Sequence, residues 1–313
     1  MTTRQKAVLA LITANMIWGA ASPIFKWALI NISPFLLAFL RFSIASILLF
    51  PFVYKKLSID KKDIIKIIII GLFGVGIHIP LFFFGLTLTP SINAPIIASS
   101  GPVFIIILSM IMLKEKPRRK VLFGTFISLL GVVVIIGRPL IEQGLENSSF
   151  IGNLLILLAV ITGVFYTIYS KELLFKYSAS TVTFWSFVVG SLTFIPFLLI
   201  EISNPKTNLV INYQGYTGII FGVIFSSLIA YLLYQWGVQK INASEVGIFT
   251  YIDPVIAILI AYPLLGEVIT PIFVLGSFLV FGGIFVAEGR FPYHPIPHLF
   301  GNHKPVYKDD RII

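Results

Sequence analysis

The chain has 313 residues, of which 57% are hydrophobic and 12% are charged, and its mean hydropathy is +0.97. A soluble protein carries roughly 25% charged residues, so this composition excludes a soluble globular protein and predicts one that crosses a membrane several times. The net charge of +10 comes from basic residues in short loops between apolar segments, which is a pattern of membrane orientation and not of nucleic-acid binding. The absence of cysteine excludes disulfides, thiolate metal sites and cysteine nucleophiles.

Ten segments are each long and apolar enough to cross a bilayer as a helix of about 20 residues. We number these predicted helices in chain order: α1 (7–29), α2 (34–53), α3 (64–87), α4 (91–113), α5 (119–137), α6 (150–172), α7 (179–201), α8 (214–238), α9 (244–265) and α10 (270–288). The first segment lacks the short apolar core and the cleavage site of a secretory signal, so it is predicted to be retained. The longest predicted loops are the polar segments 138–149 and 202–213.

The distribution of basic residues predicts the orientation of these helices. If the N-terminus is cytoplasmic, 18 lysines and arginines fall on the cytoplasmic side, whereas only Arg138 and Lys206 fall on the outer side. Positive charge is concentrated in cytoplasmic loops of membrane proteins. We therefore expect a multi-pass protein of the cytoplasmic membrane with both termini in the cytoplasm.

The second half of the chain repeats the first at an offset of 152 residues. The offset aligns the segment around Gly101–Pro102 with the segment around Asp253–Pro254. The other aligned pairs are Leu113 with Leu265, Glu115 with Glu267, Gly124 with Gly276, Phe126 with Phe278, Gly131 with Gly283, Gly137 with Gly289 and Arg138 with Arg290. Because each unit has five helices, the second unit enters the membrane from the opposite side and the repeats are inverted. Inverted repeats are typical of secondary transporters, which bind their substrate between the repeats.

The repeat predicts the domain organisation. Residues 1–140 and 150–289 form two five-helix repeats, and residues 290–313 form a disordered cytoplasmic tail. The three histidines of the tail have no acidic or cysteine partner at a metal-ligand spacing, so no metal site is predicted there. Because one chain supplies both repeats, a monomer is sufficient to form a cavity, and either a monomer or a homodimer is compatible with the sequence.

Several segments together resemble a known family. WGAASPIFK, with Trp18, Ser22 and Lys26, resembles the first-helix signature of the EamA type of the drug/metabolite transporter superfamily, and Arg41 in LRFSIASILL matches its second-helix arginine. The runs SINAPIIASSGPVF, LKEKP and GTFISLLGVVVI resemble its fourth and fifth helices, and INASEVGIFTYIDPVIAIL, LLGEVIT and GSFLVFGG resemble its ninth and tenth. The resemblance implies an all-α polytopic membrane protein with ten transmembrane helices in two inverted five-helix repeats. It also implies a central cavity lined mainly by α1, α3, α4, α6, α8 and α9.

Ionisable residues inside the predicted helices are candidate functional residues, because such groups are unfavourable in a bilayer. Asp253 precedes Pro254, which removes a backbone donor and opens α9 locally. Its carboxylate is predicted to bind a substrate amine or a coupling proton, with pairing to a basic residue or tyrosine as the alternative. His78 is a second candidate for proton coupling, with a neutral packing role as the alternative. No cofactor is predicted.

Helical spacing places polar side chains on single faces, where they are predicted to line an aromatic, weakly polar cavity. The predicted cavity residues are Asn15, Trp18, Ser22, His78, Ser99, Ser100, Tyr166, Tyr169, Tyr231, Tyr251 and Asp253. The alternative is that these side chains form hydrogen bonds between helices, which are worth about 0.6 kcal/mol on average.

Structural roles are predicted for six further residues. Lys26 and Arg41 anchor helices, although either could attract an anionic group. Pro102 and Pro254 kink their helices. Glu115 and Glu267 cap or hinge the α4–α5 and α9–α10 connections, since a glutamate is favoured near a helix N-terminus.

The sequence predicts a secondary transporter that exports small metabolites, such as amino acids or drugs, by alternating access. The chain has no GxxxxGK[ST] nucleotide-binding loop, so the energy is expected from protons or substrate exchange. One alternative is a flippase of lipid or lipid-linked substrates. Another is an intramembrane hydrolase with Ser99 or Ser100 as nucleophile and His78 as base, but the histidine precedes the serines, the reverse of the order in intramembrane serine proteases. The expected partners are the bilayer, a small-molecule substrate and protons, without nucleic acid.

Overall fold

The computed structural model describes residues 1–104, 107–108, 119–143, 148–203, 211–241 and 246–288. This part of the chain is helical without strands, and seven of its helices are long and apolar enough to cross a membrane. Six of the predicted helices are continuous: α1 at Thr3–Ala28, α2 at Pro34–Val53, α5 at Arg119–Gln143, α6 at Ser148–Leu174, α7 at Ala179–Ser203 and α10 at Pro271–Glu288. The predicted tail, residues 290–313, and Glu115 lie outside the described residues.

Two helices, α3 and α8, change from α to π geometry in their middle. α3 comprises Ile64–Gly71, a π-helix at Leu72–Gly76 and His78–Leu88. α8 comprises Tyr213–Ile220, a π-helix at Phe221–Ile229 and Ala230–Lys240. The offset of 152 residues carries the centre of the first π-helix into the second, so both repeats deviate from α geometry at the same place. π-helical turns are rare in proteins overall, and those that occur are often located at functional sites.

Two other helices, α4 and α9, are also interrupted at equivalent places. α4 is helical at Asn93–Ala98, turns at the next two residues and resumes at 101–104. α9 begins as a 3₁₀-helix at Gly247–Ile252 and continues as an α-helix at Asp253–Leu265. Pro102 and Pro254 are each the second residue of a new α-helical segment, where the missing N–H of proline breaks no helical hydrogen bond.

The described α5 is longer than predicted. We expected a loop from Arg138, but the helix continues through Pro139 to Gln143, so this predicted boundary is wrong. Pro139 has no N–H for the carbonyl of Ile135, and the side chain of Asn153 donates a hydrogen bond of 3.1 Å to that carbonyl instead. Because a partner from α6 satisfies the carbonyl, the proline does not end the helix.

Equivalent glycines of the two repeats allow α5 to pack closely along α10. A Cβ on Gly131 would lie 2.5 Å from the Val280 nitrogen, and one on Gly283 would lie 2.3 Å from the Ser128 nitrogen. Such close backbone approach is possible only without side chains. Because Gly131 and Gly283 are aligned by the 152-residue offset, the two contacts are equivalent, as expected for a two-fold axis between the repeats.

The two repeats also exchange their first helices. α1 packs on α8 and α9, whereas α6 packs on α3 and α4. Each first helix therefore covers the interrupted helices of the other repeat, and the space between the two sets lies in the middle of the bundle.

The loops alternate between two ends of the bundle. At the end where α1 begins, which we call the near end, Lys176 binds Asp60 and Asp63, which raise the pKa of this lysine. At the opposite far end, Asn31 binds Gln214 and Ser33 binds Glu201. The α2–α3 loop thus meets the α6–α7 loop at one end, and the α1–α2 loop meets the start and end of the α7–α8 connection at the other, as the predicted order of crossings requires.

Candidate functional site

A cavity of about 230 Å³ lies between the two repeats. Its lining comes from α1, α3, α4, α6, α8 and α9, the set that the family resemblance implied, and from α2 through Arg41. Ligand pockets usually measure about 300–1,000 Å³. The cavity is smaller than this range, so its volume limits a ligand to a small molecule.

The structure brings most of the predicted cavity residues together but not all of them. The predicted residues that line the cavity are Asn15, Trp18, Ser22, His78, Tyr166, Tyr231 and Asp253, together with the predicted kink residue Pro102. Ser99, Ser100, Tyr169 and Tyr251 do not line it. The Ser99 and Ser100 hydroxyls donate to carbonyls of their own helix, at 2.9 and 2.6 Å. The ring of Tyr251 packs against Phe281, and Tyr169 packs at the edge of the core.

Aromatic rings form one wall of the cavity. The ring centroid of Trp18 lies 5.3 Å from that of Tyr231 and 4.9 Å from that of Tyr234. Tyr231 is in turn 6.2 Å from Tyr166. Such ring pairs bury large apolar surfaces in specific orientations, so this wall is suited to an apolar or aromatic part of a ligand.

The aromatic side chains also bind the two π-helices. The indole N–H of Trp18 donates to the carbonyl of Ser226 at 3.1 Å, and the hydroxyl of Tyr231 donates to the carbonyl of Gly74 at 3.4 Å. Both carbonyls belong to π-helical turns at equivalent places of the two repeats. The sequence did not predict these bonds, because the residues of a π-helix have no spacing pattern that distinguishes them from those of an α-helix.

Asp253 is the acidic residue of the cavity wall. It is 8% exposed, and its Oδ1 atom has no hydrogen-bond partner among the described residues. It begins the α-helical part of α9, where the helix dipole favours a negative charge. Gly19 allows α1 to touch it, since a Cβ there would lie 2.7 Å from the Asp253 carbonyl oxygen. None of the ion pairs within the described residues involves Asp253, so the predicted pairing with a lysine or arginine is not observed there.

Two other polar side chains complete this side of the cavity. Asn15 donates to the carbonyl of Leu11 at 2.8 Å, and its Oδ1 has no partner within the described part of the chain. Ser22 lines the same face of α1 as Trp18. The side-chain oxygens of Asn15 and Asp253 are therefore two buried acceptors without a donor, and buried acceptors of this kind are rare in folded proteins.

His78 binds α6 and not the serines of α4. Its Nδ1 atom lies 2.8 Å from the carbonyl oxygen of Ala159 and 3.3 Å from the hydroxyl of Thr162. Because a carbonyl only accepts, Nδ1 carries the proton. The Ser99 and Ser100 hydroxyls are bonded to carbonyls within α4, so the serine–histidine pair of the hydrolase alternative is not formed.

Arg41 contributes a cation to the same cavity. Its Nε atom donates to the Ser227 hydroxyl at 2.8 Å and an Nη atom donates to the Ser226 hydroxyl at 2.9 Å. The sequence analysis assigned Arg41 an anchoring role and did not place it in the cavity. The available signal was that Arg41 is the one charged residue of the second helix.

A cluster at the far end joins three segments. The Glu267 carboxylate accepts from the backbone N–H groups of Ser91 and Ile92 at 2.7 and 3.0 Å and from the Ser91 hydroxyl at 3.0 Å. Lys26 lies 3.6 Å from Glu267 and also donates to the carbonyl of Thr89. Glu267 thus binds the N–H groups at the start of α4 and not those of α10, next to which we predicted its capping role.

Comparison with known proteins identifies the family. The model of the EamA-like transporter family matches residues 5–137 and 150–288. The chain belongs to the EamA-like transporter family. It is 33% identical to an uncharacterized transporter of Archaeoglobus fulgidus over 86% of this chain and 94% of the relative. It is 30% identical to the uncharacterized transporter YetK of Bacillus subtilis over 90% of this chain and 86% of the relative.

A solved structure shows the same fold. A crystal structure with 21% sequence identity superposes with a TM-score of 0.64 and covers 90% of this chain and 96% of its own. Together with the family membership, the described helices confirm the predicted ten-helix, all-α architecture of inverted repeats in a multi-pass membrane protein. Membership in a transporter family indicates a transporter and not an enzyme.

Proposed function

We propose that the chain is a secondary transporter that exports a small amphipathic metabolite, such as an amino acid or a drug, by alternating access. The observation that carries this proposal is the cavity between the repeats, which is bordered by four helices interrupted at equivalent places. Interrupted helices at a repeat interface are the usual substrate site of secondary transporters.

Asp253 is the residue to which we assign the substrate amine or the coupling proton. A buried carboxylate oxygen without a partner is a strong acceptor for an ammonium group. The rings of Trp18 and Tyr231 then contact the apolar part of the substrate.

The far-end cluster supports the alternating-access part of the proposal. Following the predicted orientation, the near end faces the cytoplasm and the far end faces outside. The contacts of Glu267 with Lys26 and Ser91 join three segments at the far end, and we propose that they close this end. A far end that is closed to the outside is the conformation in which an exporter loads its substrate.

Counterflow in proteoliposomes tests the function. Vesicles loaded with unlabelled amino acids, nucleosides or organic cations are expected to accumulate trace label of one class. The Asp253→Asn variant is expected to lose exchange or its dependence on a pH gradient, whereas Asp60→Asn, which changes an exposed near-end carboxylate, retains both.

Two results would contradict this proposal. Unchanged, fully pH-dependent exchange by Asp253→Asn would remove Asp253 from substrate binding and coupling. Absence of exchange for every class in folded protein would contradict transport of soluble metabolites, and lipid flipping would then be measured with labelled lipid in the same vesicles.

A further inference from the structure

Arg41 is a buried cation in the cavity wall, and it has no carboxylate partner among the described residues. It is 2% exposed. The ion pairs within the described residues involve Lys26, Lys66 and Lys176 but not Arg41. A charged side chain inside a membrane protein is unfavourable unless it is paired or serves a function, so the missing anion requires an explanation.

The guanidinium is held rigidly by neutral groups. Two of its five N–H donors are used by the hydroxyls of Ser226 and Ser227. Its central carbon lies 4.8 Å from the ring centroid of Phe25 and 4.5 Å from that of Phe42. These contacts fix the plane of the group, and no carboxylate of the described residues balances its formal charge.

The π-helix of α8 makes room for this arrangement. A Cβ on Gly222 would lie 3.1 Å from the Cδ atom of Arg41, so the stem of the arginine packs directly on the backbone of the π-helix. The same π-helix supplies both serine hydroxyls. The π-helix of α8 therefore positions both the stem and the guanidinium of Arg41.

Opposite charges share this cavity without forming an ion pair. Arg41 and Asp253 both line it, yet no nitrogen–oxygen distance of 4 Å or less joins them. A direct pair would neutralise both residues. Their separation leaves one positive and one negative site on the walls of a single small cavity.

We propose that Arg41 binds the carboxylate of a zwitterionic substrate whose ammonium group binds Asp253. The planar guanidinium can form two parallel hydrogen bonds with a carboxylate. The proposal rests on the proposed function and deepens it, because it assigns the selectivity for a carboxylate to a residue for which the sequence analysis favoured anchoring over attraction of an anionic group.

The test uses three probes with the same phenyl group. Phenylalanine carries both an ammonium and a carboxylate, phenethylamine carries only the ammonium, and 3-phenylpropionate carries only the carboxylate. Binding to the purified protein is measured by thermal stabilisation. The wild type is expected to bind phenylalanine more tightly than phenethylamine. Arg41→Gln is expected to lose about tenfold or more in phenylalanine affinity, since hydrogen bonds to charged groups contribute about 1.5–3 kcal/mol. It is expected to bind phenethylamine as the wild type does.

A milder variant covers the case in which Arg41→Gln does not fold. Ser227→Ala removes one hydroxyl that orients the guanidinium and is expected to weaken phenylalanine binding with little effect on phenethylamine. Ser191→Ala is the matched control, because this buried serine bonds within α7 and does not line the cavity.

The outcomes separate this proposal from the proposed function. Equal binding of phenylalanine by the wild type and Arg41→Gln overturns the role of Arg41, and so does a wild type that does not prefer phenylalanine to phenethylamine. If the wild type binds phenethylamine and Asp253→Asn does not, the proposed role of Asp253 in the transporter stands, whichever result Arg41→Gln gives. A wild type that binds none of the three probes overturns the zwitterion proposal, while counterflow still tests transport.

Discussion

Lys26 and Lys171 lie at opposite ends of the bundle and make the same kind of bond. Lys26 donates to the carbonyl of Thr89 at the end of α3, and Lys171 donates to the carbonyl of Ile241 at the end of α8, at 2.7 Å. The 152-residue offset carries Thr89 onto Ile241. The offset aligns the two carbonyl acceptors, although not the lysines themselves, so the two lysines clamp corresponding positions of the two repeats.

Within the described residues, which do not include Glu115, the two clamps differ in what else they bind. Lys26 forms an ion pair with Glu267 of the second repeat. Within the described part of the chain, Lys171 bonds only the carbonyls of Val238 and Ile241, which belong to its own repeat. A bond within one repeat moves with that repeat, whereas a bond between repeats must break when they separate. On the proposed alternating-access mechanism, we therefore expect the Lys26–Glu267 pair to hold the far end closed.

The largest effect is expected from reversing the charge of Lys26. Lys26→Glu places a carboxylate beside Glu267, and repulsion is expected to open the far end. Because the chain has no native cysteine, Ala21→Cys in the cavity lining provides a single reporter. The rate at which an impermeant maleimide labels this cysteine from the far side is expected to rise about tenfold or more. This corresponds to the loss of about 1.5–3 kcal/mol of stabilisation of the closed far end.

Lys171→Glu is the matched control for this variant, since it reverses the lysine that clamps the corresponding carbonyl at the near end. It is expected to leave the far-side labelling rate at the wild-type value. An equal rise in both variants would contradict the assignment of the far end to Lys26.

A smaller effect is expected when the charges are exchanged. Lys26→Glu combined with Glu267→Lys restores the attraction, but a lysine at 267 cannot accept from the N–H groups of Ser91 and Ile92. The far-side labelling rate should therefore fall between that of the wild type and that of Lys26→Glu. A rate as high as in the single variant would show that the ion pair does not contribute to closure.

The smallest effect is expected from Lys171→Met. It removes two hydrogen bonds within the second repeat and is expected to lower Tm by about 2–4 °C per 1 kcal/mol lost. Far-side labelling should not change. Lys176→Met, which removes the ion pairs of an exposed near-end lysine, is the control with little expected change in Tm. A Tm equal to the wild type in Lys171→Met would show that this clamp is not stabilising.

The fold was largely predictable because its signals are local. Apolar length predicted the helices, and the 152-residue offset predicted the repeat, in which Gly131 and Gly283 occupy equivalent positions. The length of α5 was not predictable from local residues, because the carbonyl that Pro139 leaves free is satisfied by Asn153 from another helix.

The candidate site was predictable only in part. Helical spacing placed Trp18, Tyr231 and Asp253 in the cavity, but it also placed Ser99 and Ser100 there. The two serines stand in the turn that interrupts α4, where regular 3.6-residue spacing does not apply. The partners of Arg41 and Glu267 depend on helix packing, which the sequence of one helix does not contain.

The most direct test of the account is the labelling of Ala21→Cys from both sides of oriented vesicles, with and without Glu267→Gln. The substitution removes the charge that holds Lys26 and weakens the acceptor for Ser91. Alternating access predicts reciprocal changes: labelling from the far side rises and labelling from the near side falls. A rise from both sides, or no change from either, would contradict a far-end closure that alternates with a near-end one.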